Sequence, residues 1–364
     1  MSSILIVEDD PVTRIFLEAL LLQEGHQVFL AVNGAEALAL LQVRSCDLVL
    51  MDILMPEMDG YEATRRIKAQ SRHGLFIPVI FLTSVQTDQE LAQCLACGGD
   101  DFLNKPPSPI LLNARVRVWL QRAELTNRLA IDRADVENVI LRMRQDAQFD
   151  PHGLRVLMTP LGKATGDIVL SARRPDGVQY LMVGDFAGHG LAAAICGPLV
   201  SDLFYRLTRQ DVPLHEVIGQ MNTLICDRLP INMFLSAAFL ELDRTNGAIH
   251  LWNAAFPPVV RIRDGKVVDR CAANLPLLGI LPSLDIPRQA WGRRWQAGDR
   301  GYLYSDGSVE TRSEAGEFFG VERLEAFMEK ELFPGGELES LLTLLTGFRG
   351  KRSWSDDITI VEIS

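Results

Sequence analysis

Five short apolar runs, each followed by an amphipathic stretch of helical length, occupy residues 1–121 and leave few folds open to them. The runs are Ile4 to Val7, Val28 to Ala31, Leu48 to Met51, Val79 to Leu82 and Phe102 to Leu103. Such runs are too short for buried helices. Their recurrence ahead of helix-length segments is the pattern of βα units, whose strands pair in parallel. Local signals agree with that period. Pro11 suits a first helical turn, where its missing N–H would have no partner in any case, and Asp59-Gly60 precedes the third helix. The expectation is a doubly wound α/β domain around a five-stranded parallel sheet.

An open parallel sheet carries its ligand crevice at the carboxyl ends of the strands. Glu8 and Asp9 follow strand one, Asp52 ends strand three, Thr83 ends strand four and Lys105 follows strand five. One acid at a strand end is ordinarily a helix cap or turn former, so Glu8 or Asp9 alone says little. As a set, they bring three carboxylates, a hydroxyl and an ammonium to one edge. Clustered carboxylates repel one another. A hard cation such as Mg²⁺, held by oxygens, relieves that repulsion and makes phosphoryl transfer onto a carboxylate feasible.

The segments that carry these residues are Ile4-Leu-Ile-Val-Glu-Asp-Asp-Pro11, Leu48-Val-Leu-Met-Asp52-Ile-Leu-Met-Pro56-Glu-Met-Asp-Gly60, Phe81-Leu-Thr83-Ser84 and Asn104-Lys105-Pro106. They resemble response-regulator receiver domains, of flavodoxin-like fold. The resemblance implies that Asp52 is the phosphoacceptor, supplied by a cognate sensor histidine kinase. It also implies that Glu8, Asp9, Asp52 and the Leu54 carbonyl hold Mg²⁺, while Thr83 and Lys105 contact the phosphoryl oxygens. Phe102 falls where such domains keep an aromatic switch residue, although a buried core phenylalanine is an equally plain reading.

From Arg122 to Gln145 the chain is charged and helical, with Leu125, Leu129, Asp132, Val136, Val139 and Met143 spaced 4-3-4-3-4. That is the seam of a coiled-coil connector and of a homodimer. A single amphipathic helix lying on its own domain gives the same pattern, and both readings stay open. Asp150-Pro151-His152-Gly153 then ends the helix. The expected organisation is a receiver-like domain over 1–121, a helical linker over 122–149 and a second domain over 150–364.

The second domain alternates apolar and polar residues at 179–183, 237–242, 248–252, 259–263 and 301–304, with helical patterns at 190–208, 214–228 and 321–331. An α+β β-sandwich flanked by helices is expected. Its notable acids are Asp167, Asp185 in Gly184-Asp-Phe-Ala-Gly-His-Gly190, Asp306 in Tyr304-Ser-Asp-Gly307, and Asp356-Asp357. Asp beside Gly is a common turn, and a turn needs no metal. These acids, however, end apolar strands. They are too scattered for a calcium loop, and a carboxylate set points to Mg²⁺ or Mn²⁺ over zinc. A pair of such ions is suited to phosphomonoester hydrolysis.

These segments, with Asn274-Leu-Pro-Leu-Leu-Gly279, Glu317-Phe-Phe-Gly320 and Ser355-Asp-Asp-Ile-Thr359, resemble the SpoIIE-type branch of the metal-dependent PPM serine/threonine phosphatases. The resemblance implies two or more Mn²⁺ or Mg²⁺ ions. Asp185 would bridge two of them and the Phe186 carbonyl would ligate one. Asp306 and Asp356 would complete the pair, and Asp167 would serve an additional metal or its water shell. Asp357 is the less favoured partner of Asp356. The implied substrate is a phosphorylated anti-sigma-factor antagonist. His189 reads as a helix-entry residue. Two departures stand out: Asn253-Ala-Ala-Phe-Pro-Pro258 replaces the usual Asn-Ala-Gly-His-Pro-Pro, and Leu170 replaces a frequent acid. Both bear on phosphate positioning and leaving-group protonation.

Composition narrows the remaining classes. A chain of 364 residues exceeds one ordinary core, and 48% hydrophobic with 23% charged residues is a globular balance. A net charge of -11 without a long basic run excludes nucleic acid as a partner, and no helix-turn-helix remains to be placed. Cys94 and Cys97 lack the second pair that a zinc site requires. No signal peptide or membrane-length apolar run is read, so a cytoplasmic protein is expected. Two functions compete. One is a receiver-controlled phosphatase. The other is a phosphatase-fold adaptor that binds a sigma factor or other regulator, as RssB-type proteins do. An adaptor without metals should lose its costly clustered carboxylates, which favours the enzyme.

Overall fold

The apolar runs of the first half become the strands of a parallel sheet. The computed structural model describes all residues except 70–74, 85–87, 144–147, 161–164, 189–190 and 289, so His189 lies outside the described residues. In chain order the elements are β1 (Ser3–Val7), α1 (Pro11–Gln23), β2 (Gln27–Ala31), α2 (Gly34–Val43), β3 (Leu48–Asp52), α3 (Gly60–Ala69), β4 (Val79–Thr83), α4 (Asp88–Ala96), β5 (Asp101–Asn104) and α5 (Pro109–Met143). The sheet order is β2-β1-β3-β4-β5, with every pairing parallel. Strands β3 and β4 are buried along their whole length, hence their unbroken apolar sequences. Leu5, Val7, Met51 and Phe81 face one core, and Ile4, Ile6, Leu50 and Leu82 the other. The loops after β1 and β2 turn sharply because side chains cap the next helices: Asp10 accepts from the Thr13 N–H at 2.7 Å, and Asn33 from the Glu36 N–H at 2.8 Å.

Helix α5 begins at Pro109, well before the connector stretch read from Arg122. Its first turns are a core helix: Leu112 and Val116 are buried under the sheet, with Trp119 and Leu120 packed beside them. Further along, the Asn127 side chain accepts from the Phe76 N–H at 2.6 Å and donates to the Phe76 carbonyl at 3.0 Å. The seam residues Leu125, Leu129, Asp132, Val136, Val139 and Met143 are exposed. Ile140, on another face, is buried with Ala194. Within each unit the described residues leave this apolar seam exposed. Contacts divide the protein into two compact units, Met1–Ala134 and Asp135–Ser364.

The second unit contains β6 (Leu154–Thr159), β7 (Asp167–Arg173), β8 (Gln179–Phe186), α6 (Leu191–Ala194), α7 (Cys196–Arg209), α8 (Leu214–Arg228), β9 (Leu235–Asp243), β10 (Ala248–Ala254), β11 (Val259–Arg263), β12 (Lys266–Cys271), β13 (Trp291–Arg294), β14 (Arg300–Tyr304), α9 (Gly307–Glu310), α10 (Val321–Phe327), α11 (Ser340–Arg349) and β15 (Ile358–Ile363). Two antiparallel five-stranded sheets form, ordered β13-β10-β9-β8-β7 and β12-β11-β14-β15-β6. Period-two alternation sorts each strand between two cores. On β8, Tyr180 and Met182 face α7 and α8, while Leu181 and Val183 meet Leu303 and Val361 of the opposite sheet. Tyr302, Tyr304 and Ile360 face α10 and α11. The result is a helix–sheet–sheet–helix sandwich. The stretch Leu191–Arg209 has the length and apolarity of a membrane span, yet 67% of its most apolar window is buried inside the protein, as in a core helix.

The Asn127 clamp sets a local stability. Asn127→Ala leaves both Phe76 backbone groups unpaired at a part-buried site, a loss of about 1–2 kcal/mol. Faster amide exchange at Phe76 and a lowered unfolding midpoint of the first unit are expected, with Asn127→Asp, which accepts but cannot donate, falling between.

Candidate functional site

The first unit gathers its polar residues where the strand ends predict. Glu8, directly after β1, is fully buried. Asp52 ends β3, Thr83 ends β4, and Lys105 follows β5. The Lys105 ammonium lies 2.6 Å from Glu8 Oε2 and 2.8 Å from Asp52 Oδ2, bridging both acids. Asp52 Oδ1 accepts from the Ile53 N–H at 2.7 Å. Glu8, Asp9 and Asp52 bring carboxylate oxygens within 4.8 Å of one another, a donor set suited to a hard cation. Burial pushes Glu8 above the usual carboxylate range; the hydrogen bond from Lys105 opposes this and the Asp52 charge adds to it. Burial also works against the Lys105 charge, but its bonds to Asp52 and Glu8 prevail and hold the ammonium above its ordinary value. Gly60 is required here, since a Cβ would come within 2.1 Å of the Asp52 carbonyl oxygen. Leu54 lies in the loop beyond Asp52 with its side chain exposed, and Phe102 is half-buried against the core beside Phe81.

The second unit assembles its acids from both sheets. Asp167 on β7 is the direct cross-strand partner of Asp185 on β8. Asp306 follows β14, and Asp356-Asp357 precede β15, the antiparallel neighbour of β14. All five acids therefore meet at one end of the sandwich. Asp167 is buried and accepts from the Thr359 hydroxyl, so it ties β7 to β15 across the two sheets. Thr359 N–H in turn donates to Ser305 Oγ at 2.9 Å. Phe186, the last residue of β8, is fully buried and its N–H donates to the Gly166 carbonyl.

Burial and neighbouring charge both act on these acids. Burial, and then the charges of Asp167, Asp306, Asp356 and Asp357, push Asp185 up to about 8. Burial raises Asp167 to about 7, against the bond from Thr359 and with the Asp357 charge adding. Asp306 is raised by burial and by Glu310. Among the described residues, no three of these acids draw their oxygens within 4.8 Å of one another, unlike the receiver triad. The donors present are carboxylates and hydroxyls, which fit Mg²⁺ or Mn²⁺.

Two family models divide the chain. Residues 4–117 match the response regulator receiver domain, and residues 175–364 match stage II sporulation protein E, SpoIIE. The second match covers more than half of the chain. This protein belongs to the SpoIIE family. A phosphatase-type domain thus follows a receiver domain. AfsQ1, a transcriptional regulatory protein of Streptomyces coelicolor, is 34% identical over 165 residues, covering 43% of this chain and 71% of its own length. A ycf27 probable transcriptional regulator of Cyanidium caldarium is 36% identical over 124 residues, 34% of this chain and 48% of its own. The chain thus spans about half the length of that second relative. The SiaA PP2C domain of Pseudomonas aeruginosa superposes with a TM-score of 0.53 at 20% identity, covering 63% of this chain and 95% of that domain, a likeness of fold.

The departures from the SpoIIE pattern have structural places. Phe256 is buried between the two sheets with Leu181, Val183 and Val361, so it serves as core. Leu170 faces the helices on the other side of its sheet. Asn253 is fully buried and shapes the turn: Oδ1 accepts from the Phe256 N–H at 2.8 Å, and Nδ2 donates to the Pro257 and Cys271 carbonyls. Ala255, in place of glycine, has φ 52°, a left-handed conformation that disfavours a Cβ. The partners Thr165, Ser305 and Thr359 were given no role from sequence. The only signal for them is hydroxyl residues beside acids at strand ends.

Two measurements follow. Ala255→Gly should stabilise the second unit by about 1 kcal/mol, read as a raised midpoint. In metal-free protein, stability should fall as pH rises from about 4 to 8. Below the unfolded value of 3.8 both states hold their protons; above it the unfolded chain ionises while folded Asp167 and Asp185 stay protonated up to about 7 and about 8. Scanning calorimetry in chelator should show that decline. Asp185→Asn should flatten it, and Mn²⁺ should restore more stability at pH 8 than at pH 5.5.

Proposed function

We propose that phosphorylation of Asp52 in the receiver controls a Mn²⁺- or Mg²⁺-dependent protein serine/threonine phosphatase in the second unit. The observation that carries this reading is the convergence of Asp167, Asp185, Asp306 and Asp356 from two sheets at one end of the sandwich. Acids whose burial and mutual charge raise Asp185 to about 8 are stabilised by cations, and replacing them with amides would relieve the same strain without preserving any metal chemistry. Asp185, Asp306, Asp356 and the Phe186 carbonyl would hold the ions, with Asp167 at an additional one or its water shell. The bound ions supply Lewis acidity towards phosphate and an acidified water. The protein's own residues set the geometry: Thr359 and Ser305 hold Asp167, and the buried sheet ends prevent the acids from spreading apart. Water oxygen attacks phosphorus, and the seryl or threonyl oxygen leaves with a proton.

In the receiver, Glu8, Asp9, Asp52 and the Leu54 carbonyl would hold Mg²⁺ while Asp52 accepts the phosphoryl group from a histidine kinase. A phosphoryl group on Asp52 adds a dianion beside Lys105 and Thr83, which would redraw the Lys105 bridge to Glu8. Phe102, on β5 just before Lys105, is the proposed switch residue. The signal would pass through residues 122–149 between a receiver of residues 1–121 and a phosphatase of 150–364, with a homodimer forming along the exposed Leu125–Met143 seam. The proposed substrate is a phosphorylated anti-sigma-factor antagonist, by analogy with the family.

Mn²⁺-dependent phosphate release from a phosphoserine-bearing antagonist tests the reading. Turnover should be present in the wild type, fall to background in Asp306→Asn, and change with a small phosphodonor only while Asp52 is intact. Absence of turnover in every state would shift the reading to the adaptor. A monomer mass that does not change with concentration would remove the homodimer.

A further inference from the structure

Asp357 is the acid of the cluster with no assigned part, and its surroundings are specific. It is 4% exposed. A single oxygen, Oδ2, accepts from the Thr165 hydroxyl at 2.6 Å and from the Gly166 N–H at 3.1 Å. Thr165 Oγ1 then accepts from the Asp167 N–H at 3.0 Å, so the carboxylate organises the three residues that deliver Asp167 into β7. The same loop reaches β8, because the Gly166 carbonyl accepts from the Phe186 N–H at 3.3 Å. On its other side, the Asp357 N–H donates to Asp356 Oδ1 at 2.8 Å. Its backbone carbonyl is the floor under the third acid: a Cβ on Gly307, beside Asp306, would lie 2.0 Å from that oxygen.

We infer that Asp357 is a positioning residue, holding the strand ends that carry Asp167, Asp185, Asp306 and Asp356 in register with one another without itself binding an ion. The inference rests on the phosphatase reading for its catalytic consequence, but the geometric part stands on its own. Oδ2 is committed to two donors on the Thr165–Gly166 loop, which takes that oxygen away from an ion and gives it a task in the backbone. Two donors meeting one oxygen need an acceptor and not a charge. An amide oxygen can serve in its place, whereas a methyl group leaves a buried hydroxyl and a buried N–H competing for nothing.

Three variants of the full chain, Asp357→Asn, Asp357→Ala and Thr165→Val, separate the outcomes. The readouts are amide exchange at Gly166 and Asp167, Mn²⁺ affinity and stoichiometry by electron paramagnetic resonance, and phosphoserine-protein turnover. Asp357→Asn should keep Gly166 protected and Mn²⁺ stoichiometry intact, with kcat within about fivefold and a modestly weaker Mn²⁺ affinity from the lost charge. Asp357→Ala should expose both amides, weaken Mn²⁺ about tenfold or more and lower kcat about 10²-fold, magnitudes typical of residues that orient a metal's ligands. Thr165→Val should fall between, and serves if Asp357→Ala fails to fold. Loss of one bound Mn²⁺ in Asp357→Asn would make Asp357 a ligand and overturn the inference. So would unchanged amide protection in both Asp357→Ala and Thr165→Val. A wild type that neither binds Mn²⁺ nor turns over, while exchange follows the expected order, would instead remove the phosphatase reading and leave the positioning role in place.

Discussion

Negative charge crowded at the ends of rigid strands is the constraint around which both halves of this protein are built. Two carboxylates about 4 Å apart repel by about 4 kcal/mol at the effective dielectric of a protein surface, and strand ends locked into a sheet cannot move away. In the receiver the protein supplies its own answer, Lys105, seated between Glu8 and Asp52. In the second unit, Asp185 is surrounded by acids, and among the described residues none forms an ion pair with it. There burial and neighbouring charge push Asp167 and Asp185 upward, and the Thr359 hydroxyl donates to Asp167 against that trend. The four-layer sandwich makes this arrangement possible. Strands such as β8 and β14 are buried on both faces, so their ends are held too firmly for the acids to spread.

Legibility in the sequence followed burial. The receiver strands could be read almost to the residue because a parallel sheet covered on both faces demands unbroken apolar runs, and its crevice lies at their carboxyl ends. Asp52, Thr83 and Lys105 therefore announced their places. The second unit was harder. Its strands face two different cores, one against helices and one between sheets, and apolar residues on both faces blur the alternation that marks a strand. Strands β6, β7, β12 and β13, which the sequence reading lacks, are the four edges of the two sheets, where fewer neighbours impose a pattern. The helix after β5 and the connector from Arg122 are read as separate segments but form one helix, α5, because Leu112 and Val116 belong to the receiver core and Leu125 to the exposed seam, a change of partner that no periodicity records.

The substitutions at Leu170 and Phe256 show a second limit. Read along the chain, each is a lost polar group close to the acids. In the fold they lie on opposite faces of the sandwich sheets, Leu170 under the helices and Phe256 between the layers, where apolar residues are at home. Ala255 is the position at which the altered turn carries visible strain, while Asn253 still closes that turn through three backbone bonds. The turn is closed by Asn253 and carries Ala255 and Phe256 at its tip.

The lysine between Glu8 and Asp52 has a wider consequence. A receiver that carries its own counter-ion stays assembled when divalent metals are scarce, whereas a centre of acids facing acids does not have that reserve. Loss of divalent metal would therefore weigh on the fold of the second unit first, while the first keeps its Lys105 bridge. The two halves of one chain thus hold their acids by different means, one with a counter-ion encoded in its own sequence and the other, among the described residues, without one.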